Sequence, residues 1–146
     1  MTVIAATVGI VLFAAALLHI YWGFGGVWPG TDRKSCARAV VGFRGIEAMP
    51  PATSAFAVAL ALFIVAWIAL SLGDLALEPW SPVPIWLLGL GAALVFIGRG
   101  IAGFTPAWRR LACELPFARN DVRYFSPLCL VAGTGLLALS IRGWSA

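Results

Sequence analysis

Four long runs of almost purely apolar residues constrain the fold of this chain more than any other feature. They fall at about residues 3–22, 53–72, 85–104 and 127–142. A helix needs roughly 20 residues to cross a hydrocarbon layer about 30 Å thick, and all four runs come near that length. Helices of a soluble bundle would carry a polar face, which these runs lack. They therefore predict an all-α, integral membrane four-helix bundle that forms a single domain over residues 1–146.

The composition agrees with a membrane environment. Hydrophobic residues make up 62% of the chain and charged residues only 11%, whereas about a quarter of the residues in a soluble domain are charged. The net charge of +4 is compatible with a nucleic-acid partner, but the basic residues lie in particular loops, and a membrane explains that pattern better. We therefore expect the lipid bilayer as a partner and no nucleic acid. Because the first apolar run has neither a basic start nor a small-residue exit, we expect a permanent helix there rather than a signal peptide.

The charge of the connections predicts the orientation of the chain. Four crossings place the two long connections, at about residues 23–52 and 105–125, on one side of the membrane and both termini on the other. The first side carries eight basic residues, namely Arg33, Lys34, Arg38, Arg44, Arg109, Arg110, Arg119 and Arg123. The other side carries Arg142 alone. Since positively charged loops stay in the cytoplasm, we expect both termini on the non-cytoplasmic side.

These basic connections allow two interpretations. They form a surface for acidic lipids, or they act only as determinants of topology, which is the interpretation we favour. Within the first connection we expect short helical turns at about residues 37–41 and 43–49, because loops of about thirty residues without structure are uncommon.

Polar residues gather near the predicted cytoplasmic ends of the helices. His19 and Trp22 end the first apolar run, Glu47 precedes the second, and Arg99 lies one to two turns from the end of the third. A further group leads into the fourth run and consists of Phe117, Arg119, Asp121, Arg123, Tyr124, Ser126 and Cys129. Helix ends that emerge close together bring such groups into contact, so we predict one polar cluster at the cytoplasmic mouth of the bundle.

Arg99 is the most unusual residue of this cluster. A charged side chain within a transmembrane segment costs about 2.5 to 3.5 kcal/mol on insertion scales, so it is usually paired or functional. One interpretation is a cation that holds an anionic ligand or pairs with a carboxylate such as Glu47 or Asp121. The other is an arginine that snorkels to the lipid phosphates. Asp121 itself, between Arg119 and Arg123, is interpreted as a member of a local ion pair rather than a general base.

His19 is the only histidine of the chain. It is able to titrate near neutral pH, ligate a metal or haem, or pass a proton; the alternative is an interfacial histidine that is hydrogen-bonded to a backbone carbonyl or to Tyr21. A metal site needs a second nitrogen or sulfur ligand, which Cys129 supplies only if the helices pack favourably. We predict no metal site, with His19 as a weak candidate, no firmly implied cofactor, and a small buried residue at Cys129.

Two motifs resemble those of a known family. The segment LHIYWGFGG at Leu18–Gly26 and the segment PFARNDVRYFSPLCL at Pro116–Leu130 are similar to motifs in a group of small bacterial four-helix membrane proteins, catalogued as domain of unknown function family 3995. The resemblance covers nearly the whole chain and implies a multi-pass protein of the bacterial inner membrane. It singles out seven residues, His19, Trp22, Phe117, Arg119, Asp121, Ser126 and Cys129. It implies no activity.

Three classes of function remain open. The first is a ligand- or partner-binding accessory protein, as a subunit of a larger membrane complex or as a binder of a lipophilic small molecule. The second is a membrane oxidoreductase or a haem- or quinone-binding protein that uses His19. The third is an oligomeric transporter or channel, for which four helices without an inverted repeat are poorly equipped. No HExxH, P-loop or GxSxG motif is present, which argues against a standard hydrolase or nucleotide-driven enzyme. We favour the first class and lean against an enzyme.

Overall fold

The computed structural model of the chain describes residues 1–77 and 83–145, and every regular element in these two stretches is a helix. In chain order the helices are α1 (Thr2–Gly23), α2 (Arg33–Val40), α3 (Ala52–Leu72), α4 (Ile85–Ala102), α5 (Pro106–Leu111), α6 (Phe117–Asn120) and α7 (Ser126–Ser145), with a π-helical turn at Asp121–Phe125 between the last two. Helix α6, the π-helical turn and α7 form one continuous helix, Phe117–Ser145. This helix is long and apolar enough to cross a membrane, and so are α1, α3 and α4. The predicted all-α chain, with four helices long and apolar enough to span a membrane, is therefore confirmed.

The four long helices pack as two close pairs. Helix α1 lies along α3, and α4 lies along α7, while the contacts between the pairs are fewer. Small residues permit the close approach. A side chain at Gly9 would overlap Leu70 across the first pair, and one at Gly133 would approach the carbonyl oxygen of Ala93 across the second. Lipid tails are as apolar as the helix side chains, so the hydrophobic effect does not drive helix association in lipid. Close van der Waals packing therefore supplies much of the attraction between the helices.

The tightly packed core occupies only one half of the bundle. The main cluster of buried apolar side chains lies near the chain termini and consists of Ala5, Val8, Leu12, Ala66, Ile68, Ala69, Leu72, Ala93, Leu136 and Leu139. They come from the first half of α1, from the second halves of α3 and α7, and, for Ala93, from the middle of α4. The other half of the bundle, next to the two long connections, is packed less tightly around its axis.

The π-helical turn extends the last membrane helix toward its N-terminus. The sequence predicts that this helix begins at about residue 127, but helical structure already begins at Phe117 and runs over 29 residues to Ser145. Pro127 has no backbone N–H to donate. The N–H of Ser126 instead bonds to the carbonyl of Asp121, five residues earlier, which widens the helix by one residue at this point. The helix therefore continues without a break past Pro127, which by itself would indicate the start of a helix.

The two long connections are bonded to each other. Helix α2 covers the first predicted helical turn and starts at a capping box, in which the Asp32 carboxylate accepts a hydrogen bond from the N–H of Ser35 at 2.8 Å. The second predicted turn, at residues 43–49, is wrong. Gly42 has a φ of 70°, which ends helical structure there, and the backbone pairs instead with the other connection through Arg44 N to Leu111 O at 2.9 Å.

Candidate functional site

A cavity of about 420 Å³ lies in the less tightly packed half of the bundle. Its walls come from the second halves of α1 and α4 and the first halves of α3 and α7, and α2, α6 and the π-helical turn each add one side chain. A smaller cavity of about 150 Å³ adjoins it and shares His19, Trp22, Val40 and Val58 with it. Apolar side chains form nearly all of the wall. The cavity therefore follows from the fold, because the core side chains fill only the opposite half.

Five of the eleven predicted site residues line this cavity, and they are His19, Trp22, Arg99, Phe117 and Cys129. Two others, Asp121 and Ser126, lie directly behind Arg99 and bond to it. We refer to Arg99, Asp121, Ser126 and Trp108 as the Arg99 network. The structure thus brings seven of the eleven predicted residues together, at an apolar cavity with a few polar groups rather than at the predicted polar mouth.

The Arg99 network compensates the arginine charge inside the protein. The Nη2 of Arg99 donates to Oδ1 of Asp121 at 2.6 Å, and Nη1 donates to Oγ of Ser126 at 3.2 Å. Asp121 is only 2% exposed. Of the two carboxylates that the sequence offers as partners, Asp121 is the one that pairs with Arg99, which favours the paired interpretation over snorkelling. A buried carboxylate is stable only with such compensation.

Both carboxylate oxygens of Asp121 are satisfied within the network. Oδ1 also accepts a hydrogen bond from the hydroxyl of Ser126 at 3.1 Å, and Oδ2 accepts one from the indole Nε1 of Trp108 at 2.8 Å. The guanidinium carbon of Arg99 lies 4.6 Å from the centroid of the Trp108 ring, so the indole also faces the cation. The network therefore ties α4, α5 and the last membrane helix together at one point.

Local structure positions each member of the network. The π-helical turn sets Asp121 and Ser126 side by side, and Gly103 leaves them room, since a side chain there would overlap the Ser126 hydroxyl. The hydroxyl of Thr105 caps α5 by accepting from the N–H of Trp108 at 3.3 Å, which fixes the start of that helix. Sequence reasoning misses Trp108. The available signal is the Thr-Pro pair at its N-terminal side, which predicts a helix start.

A contact with a backbone carbonyl assigns the tautomer of His19. Its Nδ1 lies 2.8 Å from the carbonyl oxygen of Ala15, and because a carbonyl only accepts hydrogen bonds, Nδ1 carries the proton. In the neutral ring Nε2 then keeps its lone pair. Trp22 packs against the ring with 5.0 Å between the centroids and is itself held by a bond from Nε1 to the carbonyl of Trp28 at 2.7 Å. The ordinary hydrogen bond to a backbone carbonyl is present, and one imidazole nitrogen is left for other contacts.

Four predicted site residues lie away from the cavity. Glu47 pairs with Lys34 on the surface, and this hydrogen bond together with the nearby Arg38 lowers the pKa of its carboxyl from the usual 4.5. Arg119 is exposed, and the guanidinium of Arg123 lies over the ring of the exposed Tyr124, with 5.2 Å from its carbon to the ring centroid. These side chains belong to the surface of the connections.

The described residues contain no group of three or more histidine, cysteine or acidic side chains that would hold a metal ion. His19 and Cys129 both line the cavity, but they are the only pair of metal-ligating types that do so among its described lining residues. The arrangement instead offers hydrogen bonds. Nε2 of His19 is an acceptor, and the N–H groups of Arg99 are donors. The cavity is therefore suited to hold an amphiphilic molecule by one end.

The family model described as "Protein of unknown function (DUF3995)" matches residues 12–136. The match covers most of the chain, including both motifs and all four walls of the cavity. No curated protein and no solved structure matches the chain. The chain belongs to this family.

Proposed function

We propose that this DUF3995 protein binds a lipophilic small molecule in the cavity between its four membrane helices and acts as a ligand-binding accessory protein of the bacterial cytoplasmic membrane. The observation that carries the proposal is the cavity of about 420 Å³. Ligand sites typically have volumes of about 300 to 1,000 Å³, with mainly apolar walls and a small number of placed polar groups. The cavity has this character, and His19 and Arg99 are such groups.

The packing of the bundle supports an occupant other than water. The cavity is open on one side and is much larger than the few small voids that a close-packed protein interior leaves. Ordered water molecules in it would each need two to four polar partners. The walls offer few. Side chains such as Leu12, Leu62 and Ala132 instead contact an apolar molecule well, so a lipophilic ligand is the occupant that the walls favour.

The charge asymmetry of the connections supports an orientation for this site. Eight basic residues lie on the side of the two long connections, which by the positive-inside rule is the cytoplasmic side. Both termini then lie outside the cytoplasm. The cavity, which adjoins these connections, opens at the level of the cytoplasmic leaflet, where a lipophilic ligand is able to enter from the bilayer.

A cavity-filling variant tests the proposal. Ala15 lines the cavity, whereas its neighbour Ala14 is exposed on the outer face of the same helix. We expect Ala15→Phe to exclude the ligand and Ala14→Phe to retain it. The measurement is native mass spectrometry of each protein purified in mild detergent, together with a visible absorption spectrum of the same sample.

Each outcome has a distinct meaning. A discrete extra mass that is lost in Ala15→Phe and kept in Ala14→Phe supports the proposal. A visible band that His19→Ala abolishes would favour the redox alternative. Loosely bound phospholipid that is present equally in both variants would contradict ligand binding. Copurification with other subunits and without a ligand would also contradict it. Either result favours an accessory subunit.

A further inference from the structure

The polar and aromatic side chains of the cavity specify the chemical class of its ligand. We infer that the cavity binds an uncharged lipophilic phenol with a second oxygen on its ring, as in a hydroquinone with an alkyl tail, and that it discriminates against anionic lipids. The inference rests on the proposed function, because it assigns the head group of the ligand that the cavity is proposed to hold.

The first step concerns charge. Arg99 is the only charged side chain among the described lining residues, and its charge is already compensated by Asp121 at 2.6 Å. His19 in its neutral form adds none. An anionic head group would therefore enter a site without a free positive charge, and burial of an uncompensated anion is costly. The electrostatics of the wall favour a neutral ligand.

The second step concerns hydrogen bonds. The Nε2 of His19 is able to accept a hydrogen bond, because the Nδ1–H is already bonded to the Ala15 carbonyl. Arg99 has five N–H groups, and Asp121 and Ser126 account for two of them. It therefore remains able to donate to an uncharged oxygen. A hydroxyl that donates to His19 and a second oxygen that accepts from Arg99 satisfy both residues at once.

The third step concerns the positions of these two residues in the bundle. His19 belongs to α1 and Arg99 to α4, and each of these helices packs mainly against α3 and α7 rather than against the other. The two residues therefore reach the cavity from diagonally opposite helices. A ring that carries two oxygens is able to contact both helices, whereas a single hydroxyl, as in a fatty alcohol, has only one oxygen to offer.

The fourth step concerns the shape and character of the wall. Four aromatic side chains line the cavity close to the polar groups, namely Trp22, Phe96, Phe117 and Phe125. Aromatic rings pack favourably with one another in edge or offset geometries. The rings are confined to this end, which they share with aliphatic side chains such as Leu18 and Leu128. Farther into the membrane the wall is only aliphatic, with Val11, Leu12 and Leu62. An aromatic head with an aliphatic tail fits such a wall.

The test uses a hydroquinone with a decyl tail and its dimethyl ether, which has the same ring and tail but no hydroxyl donor. Binding to the full-length protein in detergent is measured by quenching of tryptophan fluorescence, since Trp22 lines the cavity. Protein with Ala15→Phe serves as the blank for signal from outside the cavity. We expect the hydroquinone to bind roughly three- to tenfold more tightly than the ether, which is the usual worth of one hydrogen bond.

Variants of His19 test the same bond from the side of the protein. His19→Phe should bring the affinity for the hydroquinone down to that for the ether, and His19→Gln, which keeps an acceptor, should restore part of the difference. If His19→Phe does not fold, the comparison of the two probes on the wild-type protein still decides.

The outcomes separate this inference from the proposed function. Equal affinities for the two probes, both lost in Ala15→Phe, overturn the assigned head group and leave the cavity as a binding site. Tighter binding of palmitate than of the hydroquinone, again sensitive to Ala15→Phe, overturns the preference for a neutral ligand only. Quenching that is the same in the wild-type and Ala15→Phe proteins overturns both.

Discussion

At the scale of single residues, the Arg99 network explains how a charge persists in an apolar helix. Asp121 is almost completely buried, whereas the Arg99 side chain is 30% exposed. The two partners therefore depend on each other unequally. Loss of the cation leaves a buried carboxylate without compensation, while loss of the carboxylate leaves a cation that is able to turn toward the interface.

We expect Arg99→Leu to destabilise the protein by about 3 kcal/mol, the usual cost of removing one member of a buried ion pair. The measurement is thermal unfolding in detergent, followed by tryptophan fluorescence. Arg119→Leu is the matched control, because Arg119 is exposed, and it should leave the midpoint nearly unchanged. Adding Asp121→Asn to Arg99→Leu should recover part of the loss. Equal midpoints for Arg99→Leu and the wild-type protein would contradict the structural role of the pair.

At the scale of elements, ionic and capping contacts hold helix α2 over the cavity. The hydrogen bond from the backbone of Ser35 lowers the pKa of the Asp32 carboxyl from its usual 3.8, and the bond to Lys34 lowers that of Glu47 from 4.5. Arg38 adds an ion pair to Glu114 of the second connection at 3.6 Å. Because Val40 of α2 lines the cavity, these surface contacts help to close it.

The sign of the pH dependence follows from the two lowered pKa values. A carboxyl with a lowered pKa in the folded protein stabilises it above the unfolded pKa, and this contribution is lost as the pH falls through the folded pKa. We therefore expect the wild-type protein to unfold at a higher temperature than Asp32→Asn/Glu47→Gln near neutral pH, and the gap to close below the usual values of 3.8 and 4.5. Thermal unfolding at several pH values measures this, and a gap that does not vary with pH would refute it.

The elements also show how much of the fold is predictable from the sequence. Runs of apolar residues are sufficient to predict the four membrane helices, because length and hydropathy decide that property locally. They do not predict the π-helical turn, since Pro127 by itself indicates a helix start. They also fail to predict that helical structure ends at Gly42, because the backbone after it pairs with Leu111 of a distant segment. Sequence reasoning misses Trp108 for the same reason. Its role depends on Asp121, which reaches it only in the folded chain.

At the scale of the whole molecule, the proposed orientation makes a direct prediction. Cys113 lies in the second long connection, and Ser145 is exposed at the end of α7. In a chain with Cys36→Ser and Cys129→Ser, a membrane-impermeant maleimide should label Cys113 only after the cells are permeabilised. Ser145→Cys, made in the same background with Cys113→Ser, should be labelled in intact cells. The reverse pattern would place the basic connections outside and contradict the positive-inside assignment.

The division of the bundle into a tightly packed half and a half that contains the cavity also has an evolutionary consequence. Exchanges in a packed core cost stability through cavities or overpacking, so Ala69, Leu136 and their neighbours are under strong constraint. Residues that line the cavity, such as Val11 and Val58, have more freedom to change in size. Relatives with this architecture are thus able to diverge in ligand preference while they retain the same scaffold.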